Sequence, residues 1–230
     1  MSTNSYPGAA PFLPPGRPSI AALGQAAHDC RGCDLFERAS QVVFGAGNPH
    51  ARVMLIGEQP GDAEDRQGKP FVGPAGRVLD RAVGEAGIAT EDSYVTNAVK
   101  HFRWRNAPGG GKRRIHQRPD TWQIRACEPW LSAEIERVDP RVIVALGATA
   151  GQALFGASFR VGSQRGQAVP WTAGRNQGAE QGSGDHEVTV VPTIHPSAVL
   201  RASDRDSAYN GLVHDLAAVS EVLRREAGMR

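Results

Sequence analysis

Four strand-sized runs constrain this chain more than any other feature: Val53-Met54-Leu55-Ile56, Tyr94-Val95-Thr96-Asn97, Val142 to Leu146 and Val188-Thr189-Val190-Val191. Stretches with helical spacing separate them. Pro74 opens one such stretch, with Val78, Leu79, Ala82 and Val83 apolar and Gly87 just past its end, a start and stop signal for a helix. Asp120 caps another that holds Trp122, Ile124, Trp130, Leu131 and Ile135, and Pro129 should kink or divide it. A short helix to Leu154 follows Gly147, and Asp206 to Arg225 carries Leu212, Leu216, Val219 and Leu223 on one face. Ile20 to Ser40 reads as a short helix followed by a Cys30-x-x-Cys33 turn. Mostly continuous apolar strands are buried on both faces. The pattern therefore predicts an α/β fold with a central, mostly parallel four-stranded sheet between layers of helices. At 230 residues one such domain accounts for the chain, with 1–19, rich in Pro, Gly and Ala, as a disordered lead and 20–230 as a single domain. Residues 156–186, rich in Gly, Gln and Ser, read as a long loop or insertion.

The net charge is only +2, so bulk charge does not argue for nucleic acid. Its distribution does. Between Asp92 and Asp120 there is no acidic residue, while Lys100, Arg103, Arg105, Lys112, Arg113, Arg114 and Arg118 lie there among Phe102 and Trp104. A one-sign patch focuses field on anions, and Lys or Arg contacts to phosphate release counterions; a solvated basic loop has the same composition. Within this window Gly109 to Gly111 form a hinge before Lys112-Arg113-Arg114-Ile115-His116-Gln117, which places an imidazole at the end of a cationic arm. No apolar run approaches the roughly 20 residues of a membrane span, and no secretory signal is visible. A cytoplasmic protein with no membrane partner is expected.

Cys30, Cys33 and Cys127 are an odd number, which speaks against a disulfide framework. The first two are a chelating pair, Cys127 is a third thiolate, and His101 is the best candidate for a fourth ligand. Such a set suits a structural zinc ion and equally an iron–sulfur cluster with one histidine ligand; spacing alone does not choose.

In parallel sheets ligands gather at the carboxyl ends of strands. Glu58 to Asp62 follow the first strand, Asn97 ends the second, and His195 follows the fourth. Lys69 precedes Pro70 instead of Ser or Thr, which excludes a Walker phosphate loop. Gly57-Glu58-x-Pro60-Gly61, Pro70-Phe71-Val72-Gly73, Thr96-Asn97-x-Val99-Lys100, Ala126-Cys127-x-Pro129-Trp130-Leu131 and His195-Pro196-Ser197 occur in that order. Each is weak by itself. As an ordered set, with the cysteine pair, they resemble the uracil-DNA glycosylase superfamily, in its family-4-like branch with an iron–sulfur cluster. Two departures, His101 where that pattern has cysteine and the extra loop through His116, resemble the uracil-DNA glycosylase X subfamily (UdgX), which becomes covalently attached to the uracil-containing DNA it attacks.

The resemblance implies a uracil-DNA glycosylase-like three-layer α/β/α fold and a monomer acting on uracil-containing DNA, single- and double-stranded. It implies a 4Fe-4S cluster on Cys30, Cys33, His101 and Cys127, and moves zinc to second place. Phe71 would stack on the extruded uracil, Asn97 would read its N3–H and O4 beside Gly57, and His195 would donate to O2, where charge develops. Glu58, Gln59 and Asp62 would line the sugar side. Ser197 would position substrate, and Arg201 would support the His195 loop or contact DNA. Lys112, Arg113 and Arg114 would hold the DNA backbone while His116 attacks C1′. The alternatives are a conventional turnover glycosylase in which His116 only contacts DNA, and a non-enzymatic cluster-containing DNA-binding protein.

Overall fold

The computed structural model describes residues 5–109, 113–172 and 188–228. In chain order its elements are α1 (Ile20–Ala27), β1 (Ala46–Gly47), β2 (Val53–Gly57), α2 (Asp62–Gln67), α3 (Pro74–Glu85), β3 (Ser93–Asn97), β4 (Trp104–Asn106) and β5 (Arg114–His116). These are followed by α4 (Thr121–Val138), β6 (Val142–Leu146), α5 (Ala148–Phe155), β7 (Val169–Trp171), β8 (Val188–Thr193), α6 (Pro196–Arg201) and α7 (Arg205–Gly228).

The main sheet has the order β1-β3-β2-β6-β8-β7. The four expected strands form its parallel centre. The expectation of four strands is corrected to six, because β1 and β7 pair antiparallel along the two edges. Neither edge has a sequence signal. Ala46–Gly47 is too short, and β7 contains Pro170, a residue sheets accept at edges because it lacks a ladder donor. β7 also lies inside the stretch read as a loop; 173–186 of that stretch falls outside the described residues.

Alternation along the central strands builds the layers. Val53, Leu55, Val142 and Val144 point toward Leu79, Val83, Leu212, Leu216 and Val219 of α3 and α7. Met54, Ile56, Ile143 and Ala145 point toward Leu131, Ile135, Ala150 and Leu154 of α4 and α5. Each fully buried aliphatic side chain contributes about 1.5–3 kcal/mol. The same burial explains why α4 runs undivided through Pro129, contrary to expectation. Trp130, Leu131, Ile135 and Val138 are all buried, which offsets the roughly 3 kcal/mol cost of an interior proline.

A third apolar cluster joins α1, Leu35, Val42, Val99 and Trp130 around the three cysteines. The disordered-lead expectation is corrected here for residues 5–19. Gly8 N–H donates to Gly32 O at 3.0 Å and Ala9 N–H to Ala126 O at 2.7 Å. Tyr6 stacks on Trp122 with ring centroids 6.2 Å apart. These are single contacts and backbone bonds, which leave no periodicity to read.

Candidate active site

The four parallel strands end side by side, and the segments that leave them meet there. Gly57 and Asn97 are register partners, and Gly147 N–H donates to Thr193 O at 2.9 Å. A Cβ on Gly57 would lie 2.3 Å from Asn97 Oδ1 and 2.7 Å from Phe71 Cζ. The amide and the ring therefore border one space that glycine keeps open. Phe71 has φ of 55°, a conformation that costs a non-glycine residue about 1–3 kcal/mol and persists where the surroundings enforce it. Here the first turn of α3 enforces it: a Cβ on Gly76 would lie 1.6 Å from Phe71 O. The Asn97 backbone oxygen accepts Lys100 Nζ at 2.6 Å, while its side-chain amide has no hydrogen-bond partner among the described residues.

Two residues that the sequence motifs did not single out hold the neighbouring loops and side chains in place. Glu64 Oε1 accepts Gly73 N–H at 2.8 Å and Oε2 accepts Gly61 N–H at 3.1 Å, so one buried carboxylate fastens the loop after β2 to the loop before α3. Its only signal was an acid three residues past Gly61 at a helix start. The other is Thr149 in the first turn of α5, whose hydroxyl donates to Glu58 Oε2.

His195 lies beside Phe71, with ring centroids 6.4 Å apart at 28°. Its Nδ1 accepts Ser197 N–H at 3.2 Å and faces Ser197 Oγ at 2.8 Å. This arrangement puts the ring proton on Nε2 and leaves that N–H as the free donor. Burial, with lesser pushes from His116 and Arg201, lowers the His195 pKa to about 4, so the ring is neutral. Ser197 was expected to position substrate, and Arg201 to support the His195 loop or contact DNA. Arg201 Nη1 donates to Ser197 Oγ at 3.0 Å, which places both side chains behind His195.

His116 Nε2 lies 3.5 Å from Glu58 Oε1. Partial burial pushes the His116 pKa below its ordinary value; Glu58 pulls it up and Arg201 pushes it down. The loop that carries His116 is an antiparallel hairpin, with Trp104 opposite His116 and Asn106 opposite Arg114. Gly110, Gly111 and Lys112, which include most of the expected hinge, lie outside the described residues. Arg113 is exposed.

The structure gives Gln59, Asp62 and Arg114 different work from that expected of them. Gln59 Nε2 donates to Gln117 O at 2.9 Å and Arg103 O at 3.2 Å, and its Oε1 accepts Arg103 N–H at 2.9 Å. One amide thus closes the open end of the hairpin. Arg114 pairs with Asp62 and, at 2.5 Å, with Asp65 Oδ2. Its guanidinium lies 5.3 Å from the ring centres of both Phe102 and Trp104. Arg114 is therefore an internal anchor and not a backbone-facing cation. Asp62 is held away from a sugar-facing role by Arg114 and Arg66; although burial pulls its pKa upward, these partners keep it below the usual carboxylate value. Lys100, counted in the basic window, is buried in an ion pair with Glu134, which also accepts Tyr94 Oη–H at 2.7 Å.

The expected metal ligands Cys30, Cys33, His101 and Cys127 are all buried. Burial raises the Cys127 thiol to about 12 and the Cys33 thiol to about 11, and lowers His101 to about 4. Lys100 N–H points at Cys127 Sγ at 3.3 Å and Trp130 Nε1–H at Cys30 Sγ at 3.2 Å. Among the described residues no three His, Cys, Asp or Glu side chains converge on a point that suits a single ion.

Residues 44–217 match the uracil DNA glycosylase superfamily, and the chain belongs to that superfamily. Within it, the chain is similar to the type-4 uracil-DNA glycosylase of Thermotoga maritima, 36% identical over 173 residues, covering 75% of this chain and 78% of the relative. The Saccharolobus solfataricus type-4 enzyme is 34% identical over 176 residues, covering 74% and 72%, and that of Archaeoglobus fulgidus 32% over 171 residues, covering 74% and 78%.

Proposed function

We propose that this chain excises uracil from DNA and is captured on the product through His116. The observation that carries the reading is the juxtaposition of two groups of side chains at one row of strand ends. Asn97 and Phe71 border a glycine-floored space, and His116 faces Glu58 nearby. The names of the type-4 relatives support the excision half; the hairpin and its histidine support the capture half.

An enzyme acting on a stacked base takes it out of the stack or meets it in a single strand. Uracil then lies on Phe71, and Asn97 offers an acceptor to N3–H and a donor to O4. Cytosine presents the reverse pattern at position 4. Scission of the C1′–N1 bond leaves the electron pair on uracil and positive charge on the sugar. The Nε2–H of neutral His195 donates to O2 as that charge forms, the kind of preorganised donor typically worth about 3 kcal/mol. Glu58 stabilises the sugar cation. A ring nitrogen of His116 then gives its lone pair to C1′, and the proton on the other nitrogen passes to Glu58. The resulting neutral N-alkylimidazole is a poor leaving group, so the chain stays attached.

The chemistry of the four ligand candidates supports a 4Fe-4S cluster as the group they would hold. The three thiols lie in one apolar cluster, His101 is buried one residue past Lys100, whose N–H points at Cys127 sulfur, and a cluster spreads its ligands over several metal atoms where zinc draws four onto one. When bound, the cluster supplies a staple between the N-terminal segment, α4 and the turn after β3.

Incubation with uracil-containing single-stranded DNA, followed by a denaturing gel, tests the proposal. A shifted protein–DNA band is expected for the wild type. His116→Ser should release uracil and an abasic strand with weak turnover and no band. Free abasic product from the wild type would favour the conventional turnover glycosylase, and intact uracil would favour a non-enzymatic DNA-binding protein.

A further inference from the structure

We propose that Thr149 is a positioning residue that aims Glu58 at His116, and so sets whether the opened sugar is captured by imidazole or by water. The proposal rests on the uracil-excising, self-capturing reading above. Thr149 is 1% exposed. Its hydroxyl donates to Glu58 Oε2 and accepts Arg118 Nε–H at 3.2 Å. Arg118 Nη2 continues to Gln152 Oε1 at 2.5 Å, one turn further along α5. The guanidinium is thereby gripped by two groups of one helix. Because the Thr149 oxygen receives the Arg118 N–H, its own proton is directed to Glu58.

This matters because a glutamate carboxylate rotates freely about its last bond. With Oε2 fixed by Thr149, Oε1 is the oxygen left to face the His116 ring at 3.5 Å. The same Arg118 also reports on the hairpin. It stands two residues after His116, and its carbonyl accepts Arg103 Nη1 at 2.7 Å. One helix therefore holds both the orienter of Glu58 and the chain leaving the hairpin, and keeps carboxylate and imidazole in register.

Two outcomes compete once the C1′–N1 bond has broken and its electron pair has left on uracil. In capture, an imidazole lone pair forms the N–C1′ bond and the second ring nitrogen yields its proton to Glu58. In hydrolysis, a water oxygen forms the bond and yields its proton to the same carboxylate. Stabilising the sugar cation needs only the charge of Glu58. Taking the ring proton needs Oε1 aimed at the ring.

Thr149→Val keeps the shape and removes the hydroxyl. Released uracil and cross-linked strand are measured from one reaction on single-stranded DNA under single turnover. Loss of a hydrogen bond to a charged group predicts a fall of roughly tenfold or more in the capture rate, with free abasic strand in its place and uracil release within about threefold of wild type. Thr149→Ser should restore capture. Should the valine variant not fold, Arg118→Leu, which removes the support behind the hydroxyl from an exposed position, should shift the partition the same way. Wild-type capture by a folded Thr149→Val chain would overturn the proposal, and so would an equal fall in excision and capture, since Thr149 would then act before the branch. A wild type that forms no adduct overturns the parent reading along with this one, whereas adduct unchanged by the substitution overturns this one alone.

Discussion

His195 shows how one residue's surroundings set its chemistry. Its Nδ1 is turned to Ser197 and its ring is largely shielded from water, so it stands as a neutral N–H donor, the form that the proposed contact to uracil O2 requires. The same burial makes stability depend on pH. An unfolded chain protonates this histidine near pH 6.5, while the folded one refuses the proton until about pH 4. Between those values the unfolded state binds more protons, so stability falls as pH falls. A shift of this size corresponds to about 3 kcal/mol. Urea unfolding of wild type and His195→Gln at pH 7 and pH 4.5 checks it. Wild type should lose about 2–3 kcal/mol more than the variant across that interval; equal losses would mean that the ring is not held neutral.

At the scale of elements, the β4–β5 hairpin is where the sequence was half legible. Its cations and its histidine stood out as a run, and motif order placed that run between His101 and Cys127. Partners 44 to 58 residues away could not be read, because a guanidinium has the same composition whether it faces phosphate or Asp62 and Asp65. Gln59 is similar, since an amide after a strand looks like a substrate ligand until its carbonyl partners at Arg103 and Gln117 are seen. The parallel strands were legible because double-sided burial demands continuous apolar runs, whereas β1 and β7 bury too little to need them. The salt dependence of DNA binding separates the two adjacent arginines. Arg113→Ala should reduce the slope of log affinity against log salt by about one. Arg114→Ala should leave the slope unchanged and diminish capture, because it frees the hairpin and leaves buried Asp65 without its cation. A reduced slope for Arg114→Ala would return that residue to the DNA backbone.

Across the whole molecule, the chain joins the sheet whose strand ends carry Asn97 and Glu58, beside Phe71, to a cysteine-lined region some distance along the chain. The two meet at the segment after β3. Asn97 is the proposed reader of the base, Lys100 anchors Asn97 to Glu134 and points its backbone N–H at Cys127, and His101 is the next residue. Gly8 and Ala9 in the N-terminal segment bond Gly32 and Ala126, both next to cysteines. A Cβ on Gly32 would lie 2.5 Å from the Gly8 backbone, so the lead sits directly on the turn between Cys30 and Cys33. With the proposed cluster bound, deleting residues 1–13 should therefore speed the loss of its visible absorbance in air and lower the unfolding temperature. Absorbance that decays at the wild-type rate would show that the lead does not shield the cysteines. The proposed capture requires that His116 form the bond to C1′, and peptide mapping by mass spectrometry of wild-type protein reacted with uracil-containing DNA locates that bond. The sugar-phosphate mass is expected on the peptide containing His116 and is expected to vanish after His116→Ser; an adduct on any other peptide, or unmodified protein beside free abasic strand, would rule out capture by this histidine.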